Sequence, residues 1–291
     1  MSARESRETG LSHDPVYHLK LRPGDLPPVV LLPGDPGRVE RIAATWDDAE
    51  DLAENREFRS ARGRYRGVEL GVVSSGIGGP SASIAVEELA RLGVRTIVRV
   101  GSAGAVGRWV RPGSVVISTA SMRSGGTTAD YVPLGYPAAA DPDVVLALTE
   151  SAVSLGIPHH RGFTASMDSF YVGEGRPGFD GFLPVERRDV TRTLRSLRIL
   201  AIEMECATVF TLSALYGLRA GAVLAVFGDR GEAGPVPAGE EEAIRVANDA
   251  VLRLATIAEK VPPPPPARAE APSKGGAESD STVDSASGSS P

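Results

Sequence analysis

Short apolar, β-branched runs alternate with longer helical patterns along most of this chain, and glycines stand at the junctions. That alternation restricts the fold more than any other feature. Strands are expected at Val29–Leu32, Val68–Ser74, Thr96–Val100, Val115–Ser118, residues 161–166, Ile199–Ile202 and Ala220–Phe227. Helices are expected over Ser81–Leu92, from Asp141-Pro142 to Gly156, over Met204–Tyr216 and over Glu240–Glu259. Pro80 suits a helix start, and Gly93 and Gly217 suit helix stops. Strands alternating with helices of about 10–15 residues imply an α/β fold with a largely parallel sheet covered on both faces. Ligands of such folds bind beyond the carboxyl ends of the strands, where the glycine-rich segments of this chain fall.

The ends read differently from the middle. Residues 1–14 are polar and are expected to be a flexible segment. Residues 262–291, opening on a proline run, contain no Leu, Ile or aromatic residue. Such a stretch cannot bury enough apolar area to offset its ordering entropy, so it is expected to be a disordered tail. Residues 15–261 are left as one folded domain. No apolar run approaches the roughly 18–20 residues of a membrane span. The N-terminus lacks the apolar core of a secretory signal, which points to the cytoplasm. A net charge of −6 argues against general nucleic-acid binding. The lone cysteine, Cys206, excludes an intrachain disulfide; it is expected to be a small buried hydrophobe. His159-His160 reads as a solvated loop, and Glu240–Glu242 as no more than a helix N-terminus.

Three segments could carry chemistry. In Gly34-Asp35-Pro36-Gly37-Arg38, a glycine after a strand lets the backbone approach an anion, and a helix start adds N–H donors; the same letters also make an ordinary turn. Arg99 sits in a strand that is otherwise apolar. A buried arginine needs a carboxylate or an anionic ligand, and Ser102 follows with small neighbours. Glu203 and Glu205 flank Met204 where a strand meets an apolar helix. A carboxylate there could accept both hydroxyls of a vicinal diol, or simply favour the helix start. Gly76–Gly79 has neither P-loop nor dinucleotide-binding spacing.

Together these segments form a pattern. LLPGDPGRVERIA, REF, SSGIGGPSASIAVEELARLGVRTIVRVGSAGA, DSFYVGEGRPGF, IEMECATVFTLSALYGLRAGAV and FGDR occur in an order that closely resembles the uridine phosphorylase branch of the nucleoside phosphorylase family. The resemblance spans about residues 16–258. It implies a three-layer α/β/α fold around a mixed, partly barrel-like sheet. It implies reversible phosphorolysis of a nucleoside to free base and ribose 1-phosphate, with phosphate as co-substrate and no organic cofactor. It also implies a homohexamer, a trimer of dimers, with no nucleic-acid or membrane partner. The phosphate site it implies is Gly34, Arg38, Arg99 and Ser102, with Arg56 entering from a neighbouring subunit. Met204 and Glu205 would hold the ribose, with Glu203 close by and His18 of an adjacent subunit at the 5′ hydroxyl. Ala103, Gly104, Phe170, Glu174, Arg176, Phe227 and Arg230 would surround the base. Glu57, Ile77 and Ser81 match positions that hold potassium between subunits in some members.

Two residues depart from the uridine pattern. Glu174 stands where those enzymes have glutamine, whose amide both donates and accepts, whereas an ionised carboxylate only accepts. Asp229 stands where they have asparagine; an aspartate in this segment of the purine branch protonates the base, so Asp229 is either a candidate general acid or simply a partner of Arg230. Uridine is the expected substrate, with guanosine, inosine or mixed specificity as the alternative. A nucleosidase would not need Arg38, Arg56 and Arg99, and a non-catalytic binding protein would not be expected to keep both Arg99 and Glu205.

Overall fold

A computed structural model describes residues 14–229 and 237–258. The expectations for the first 13 residues, for Arg230 and for the tail from residue 262 lie outside the described residues.

Among the described residues nine strands form a single sheet: β1 (Val29–Pro33), β2 (Asp48–Asn55), β3 (Phe58–Tyr65), β4 (Val68–Val73), β5 (Thr96–Ala105), β6 (Val115–Arg123), β7 (His159–Ser166), β8 (Ala201–Glu203) and β9 (Arg219–Asp229). The principal helices are α1 (Pro36–Ala43), α2 (Gly79–Arg91), α3 (Pro142–Ser154), α4 (Val190–Ser196), α5 (Cys206–Leu215) and α6 (Glu240–Ala258). Local chemistry starts them where it should. Asp35 caps α1 by accepting the Gly37 N–H at 2.9 Å, and Asp141 caps α3 by accepting from Asp143 and Val144 at 3.0 and 3.1 Å. Proline stands in the first turn of α1, α2 and α3, where its missing N–H costs nothing.

Strand alternation divides the core into two layers. Val30, Leu32 and Ile97 face a cluster built with Val86 and Leu89 of α2 and Val209 and Leu212 of α5. Val29, Leu31 and Val98 face the other side, against Val39 of α1, Leu148 of α3 and Val251 of α6. The result is three-layered, as the resemblance implies, but the sheet is not largely parallel, as alternation alone implies. Strand order is β2-β3-β4-β1-β5-β8-β7-β6-β9, and β5 also pairs with β9. Five of the strands, β5-β8-β7-β6-β9, therefore close into a ring. Antiparallel pairs (β2 with β3, β3 with β4, β5 with β8, β6 with β9) mix with parallel ones. Among the described residues no helix is long and apolar enough to cross a membrane.

Several boundaries move. Strand β5 runs on through Gly101–Ala105, past its expected end at Val100, because the glycine-rich stretch pairs with Leu224–Asp229 of β9. Helix α5 begins at Cys206, leaving Met204 and Glu205 ahead of it. His159 and His160 are half-buried at the start of β7 rather than in a solvated loop, since they pair with Val115 and Val116. Burial, and secondarily His159, lowers the His160 pKa.

Candidate active site

The carboxyl ends of β1 and β5 open onto a cavity of about 650 Å³. Its lining includes Gly34 and Arg38 after β1, Arg99, Ser102, Ala103 and Gly104 of β5, Ile202 through Glu205, and Phe227 of β9. Phe170, Glu174 and Arg176 line it from the loop after β7.

Arg99 is only 3 % exposed, held between Leu32 of β1 and Ala222 of β9. Its charge survives there because it is paired with Glu205 through Nη2, and its Nε lies 3.4 Å from Glu203. Burial opposes the guanidinium charge, but Glu205 and then Glu203 outweigh it and raise the Arg99 pKa. Nε and Nη1 have no hydrogen-bond partner among the described residues. Nε faces the Glu203 carboxylate, and because buried N–H groups are seldom left unpaired, Nη1 marks where a further anion belongs. A Cβ on Gly101 would stand 3.1 Å from Arg99 Nη2 and 2.7 Å from Leu224, so glycine there leaves the guanidinium its space.

Glu205 is buried as well. One oxygen pairs with Arg99 and the other accepts the Gly78 N–H at 2.6 Å. Gly78 reaches that position at φ +87°, a conformation glycine adopts readily. Burial pushes the Glu205 pKa up; Arg99 pulls it back and Glu203 pushes it further, with a net rise. Cys206, buried beside Glu203, is held as a thiol, first by burial and then by that carboxylate.

Arg38 is 5 % exposed and donates from Nη1 to the Val100 carbonyl at 3.0 Å and from Nη2 to Glu240 at 2.8 Å; its Nε has no hydrogen-bond partner among the described residues. Glu240 also accepts from Arg41 at 2.5 Å. It therefore does more than begin a helix: it anchors the turn that carries Gly34 and Arg38. Sequence gave no signal for this, because the partners lie some two hundred positions apart (|i−j| 202 and 199). At the other end of the cavity Glu174 is 4 % exposed, with Arg176 Nε 3.5 Å from its carboxylate. The Arg176 guanidinium stacks over Phe170, 4.2 Å from the ring centroid.

The structure thus brings Gly34, Arg38, Arg99, Ser102, Ala103, Gly104, Phe170, Glu174, Arg176, Glu203, Met204, Glu205 and Phe227 to one cavity. Glu57 and Ile77 join its rim, and Ser81 donates to Glu57 at 2.9 Å. His18 and Arg56 are not in this lining. His18 Nδ1 lies 2.8 Å from Glu88, and Arg56 is exposed at the β2–β3 turn. Asp229 ends β9, but its side chain, like Arg230, lies outside the described residues.

A family model described as the phosphorylase superfamily matches residues 28–261. The chain belongs to the phosphorylase superfamily. This phosphorylase is 50% identical over 239 residues to a uridine phosphorylase of Thermococcus kodakarensis, covering 82% of the chain and 86% of that relative. It is 40% identical over 252 residues to the uridine phosphorylase of Escherichia coli K12, covering 84% of the chain and all of that relative. A guanosine phosphorylase of Halorubrum lacusprofundi is 40% identical over 212 residues, 73% of the chain and 83% of that relative. The phosphorylase is accordingly an enzyme, a pentosyltransferase with phosphate as co-substrate.

Proposed function

We propose that this phosphorylase cleaves uridine with inorganic phosphate, giving uracil and ribose 1-phosphate. The observation that carries the site assignment is Arg99: buried in the cavity, paired with Glu205 and Glu203, and still holding Nη1 without a partner among the described residues. Phosphate is the anion for that donor, with Arg38 and the Gly34 backbone beside it. Glu205 accepts from the 2′ and 3′ hydroxyls, Met204 packs on the sugar, and Ala103, Gly104, Phe170, Glu174, Arg176 and Phe227 enclose the base. Ser102 donates its hydroxyl to phosphate.

In the reaction a phosphate oxygen attacks the anomeric carbon as the bond to the base nitrogen breaks. The electron pair of that bond leaves with the base, which then takes a proton. Positive charge develops on the ribose and is stabilised by the phosphate; negative charge on the departing uracil is stabilised by Arg176. Catalysis is positioning and electrostatics, with no protein nucleophile.

Glu174 supports a second reading. Guanine presents N1–H and its 2-amino group as adjacent donors, which a carboxylate can accept together, and O6 as an acceptor for Arg176. The guanosine phosphorylase relative agrees with that reading. The deciding experiment is release of free base from uridine, guanosine, inosine and adenosine, with and without phosphate. Phosphate-dependent release from uridine above all others is the expected result. Selective guanosine or inosine cleavage replaces uridine with a purine, and release that ignores phosphate overturns the phosphate site.

We infer further that the working enzyme is a hexamer in which His18 and Arg56 complete a neighbour's site. Both lie outside the cavity lining of their own chain. A fully active monomer in sedimentation and assay at one concentration would refute this. Glu57, Ile77 and Ser81 offer a carboxylate, a carbonyl and a hydroxyl, the oxygen donors that a potassium ion takes. A rate indifferent to replacing potassium by tetramethylammonium would remove that ion from the reading. Asp229 and Arg230 are the remaining base-side candidates; Asp229→Asn or Arg230→Ala with wild-type base release would remove that residue from the base side.

A further inference from the structure

Glu203 has no exposed side-chain surface, and the protein itself engages its carboxylate. Oε1 accepts the Ser166 hydroxyl. Oε2 accepts the backbone N–H groups of Glu205 and Cys206, both at 2.8 Å, and stands 3.4 Å from Arg99 Nε. The groups facing it are thus Arg99 of β5, Ser166 of β7, and Glu205 and Cys206 at the start of α5. Glu203 fixes the two residues on either side of it in the site: the guanidinium assigned to phosphate and the backbone of the glutamate assigned to ribose.

The hydrogen bonds behind Glu203 have a direction. A hydroxyl has one hydrogen to give and two lone pairs. Ser166 Oγ accepts the Ala207 N–H at 2.8 Å and lies 2.9 Å from Ser121 Oγ. A carboxylate has no hydrogen to offer, so the Ser166 hydrogen goes to Glu203, and Ser121 must donate to Ser166. The chain runs Ser121 to Ser166 to Glu203, and it uses the whole capacity of the Ser166 hydroxyl. Both serines are buried, at 6 % and 4 % exposure, so water does not substitute.

We propose that Ser166 is a positioning residue for phosphorolysis: its hydroxyl holds the Glu203 carboxylate where it fixes Arg99 and the Glu205 backbone. The inference rests on the assignment of Arg99 and Glu205 to the two substrates. Wild-type, phosphate-dependent base release tests that assignment separately, before any serine variant is compared.

Ser166→Ala removes the donor to Glu203. Ser121→Ala breaks a buried hydroxyl pair of the same kind but leaves the bond from Ser166 to Glu203 in place. Small displacements of positioned groups cost on the order of 10-fold or more in rate. Ser166→Ala is expected to lower kcat about tenfold at saturating nucleoside and phosphate, in the order of that estimate. Ser121→Ala is expected to stay within about twofold of wild type at a comparable loss of Tm, and Ser166→Thr to recover most of kcat. If Ser166→Ala does not fold, Ser166→Cys, a near-isosteric weak donor, takes its place and is expected to fall between alanine and wild type. Equal kcat for the Ser166 and Ser121 variants, or loss of kcat that merely follows Tm, overturns the proposal.

Discussion

Replacing Glu174 with glutamine tests the base pocket at the point where this chain departs from the uridine pattern. The carboxylate is 4 % exposed and sits 3.5 Å from Arg176 Nε, so water cannot compensate for a mismatch, and Arg176 stays to hold either side chain. Against uracil, the carboxylate accepts N3–H but turns a second acceptor toward O2. Glutamine converts that contact into a neutral hydrogen bond, a gain of about 1 kcal/mol. Against guanine, the carboxylate accepts two donors, and glutamine must meet one of them with its own N–H, a loss of about 2 kcal/mol. The combined swing of about 3 kcal/mol corresponds to roughly 100-fold in the ratio of kcat/KM for uridine to that for guanosine. The assay is initial-rate base release for both nucleosides at fixed phosphate, with KM for phosphate as the control. A ratio that changes less than about threefold, with phosphate KM unmoved, would show that Glu174 does not read the base.

Other consequences are equally direct. Arg99→Ala removes the cation that Glu205 and Glu203 share, and it is expected to cut phosphorolysis by at least about a thousandfold; rates near wild type would refute the phosphate assignment. Because burial raises the Glu205 pKa above that of an ordinary glutamate despite Arg99, its ionised form is lost at a higher pH. The acid limb of kcat/KM for the nucleoside should therefore fall above the ordinary glutamate range, and should be absent from whatever activity Glu205→Gln retains; a pH–rate series on both proteins decides this. In the fold, a Cβ on Gly221 would stand 2.4 Å from Val144 Cγ1, so Gly221→Ala forces β9 and α3 apart. Denaturant unfolding should show a loss of about 1–3 kcal/mol, and unchanged stability would mean that α3 shifts freely on the sheet.

How much the sequence discloses depends on how local the physics is. Helix starts at Asp35-Pro36 and Asp141-Pro142 were legible because capping and proline chemistry act within four residues. The burial of Arg99 was legible because an arginine inside an apolar strand needs a counter-charge, and two glutamates waited at a strand–helix junction. The β2–β3 hairpin was not. Asp48–Asn55 reads DAEDLAEN, with no apolar alternation, because it is a largely exposed edge strand paired, among the described residues, with β3 alone, and Arg59, Arg62 and Arg64 of β3 meet its acidic side chains. Ring closure was equally silent in local pattern: it depends on β5 pairing with both β8 and β9. The same division holds in the site. The groups assigned to substrate stand in short, recognisable motifs. The groups that hold them, Glu240 behind Arg38 and Ser166 behind Glu203, are ordinary polar residues, made specific only by strands and helices that bring distant segments together. A variant at such a residue should therefore disturb the chemistry while leaving every motif intact.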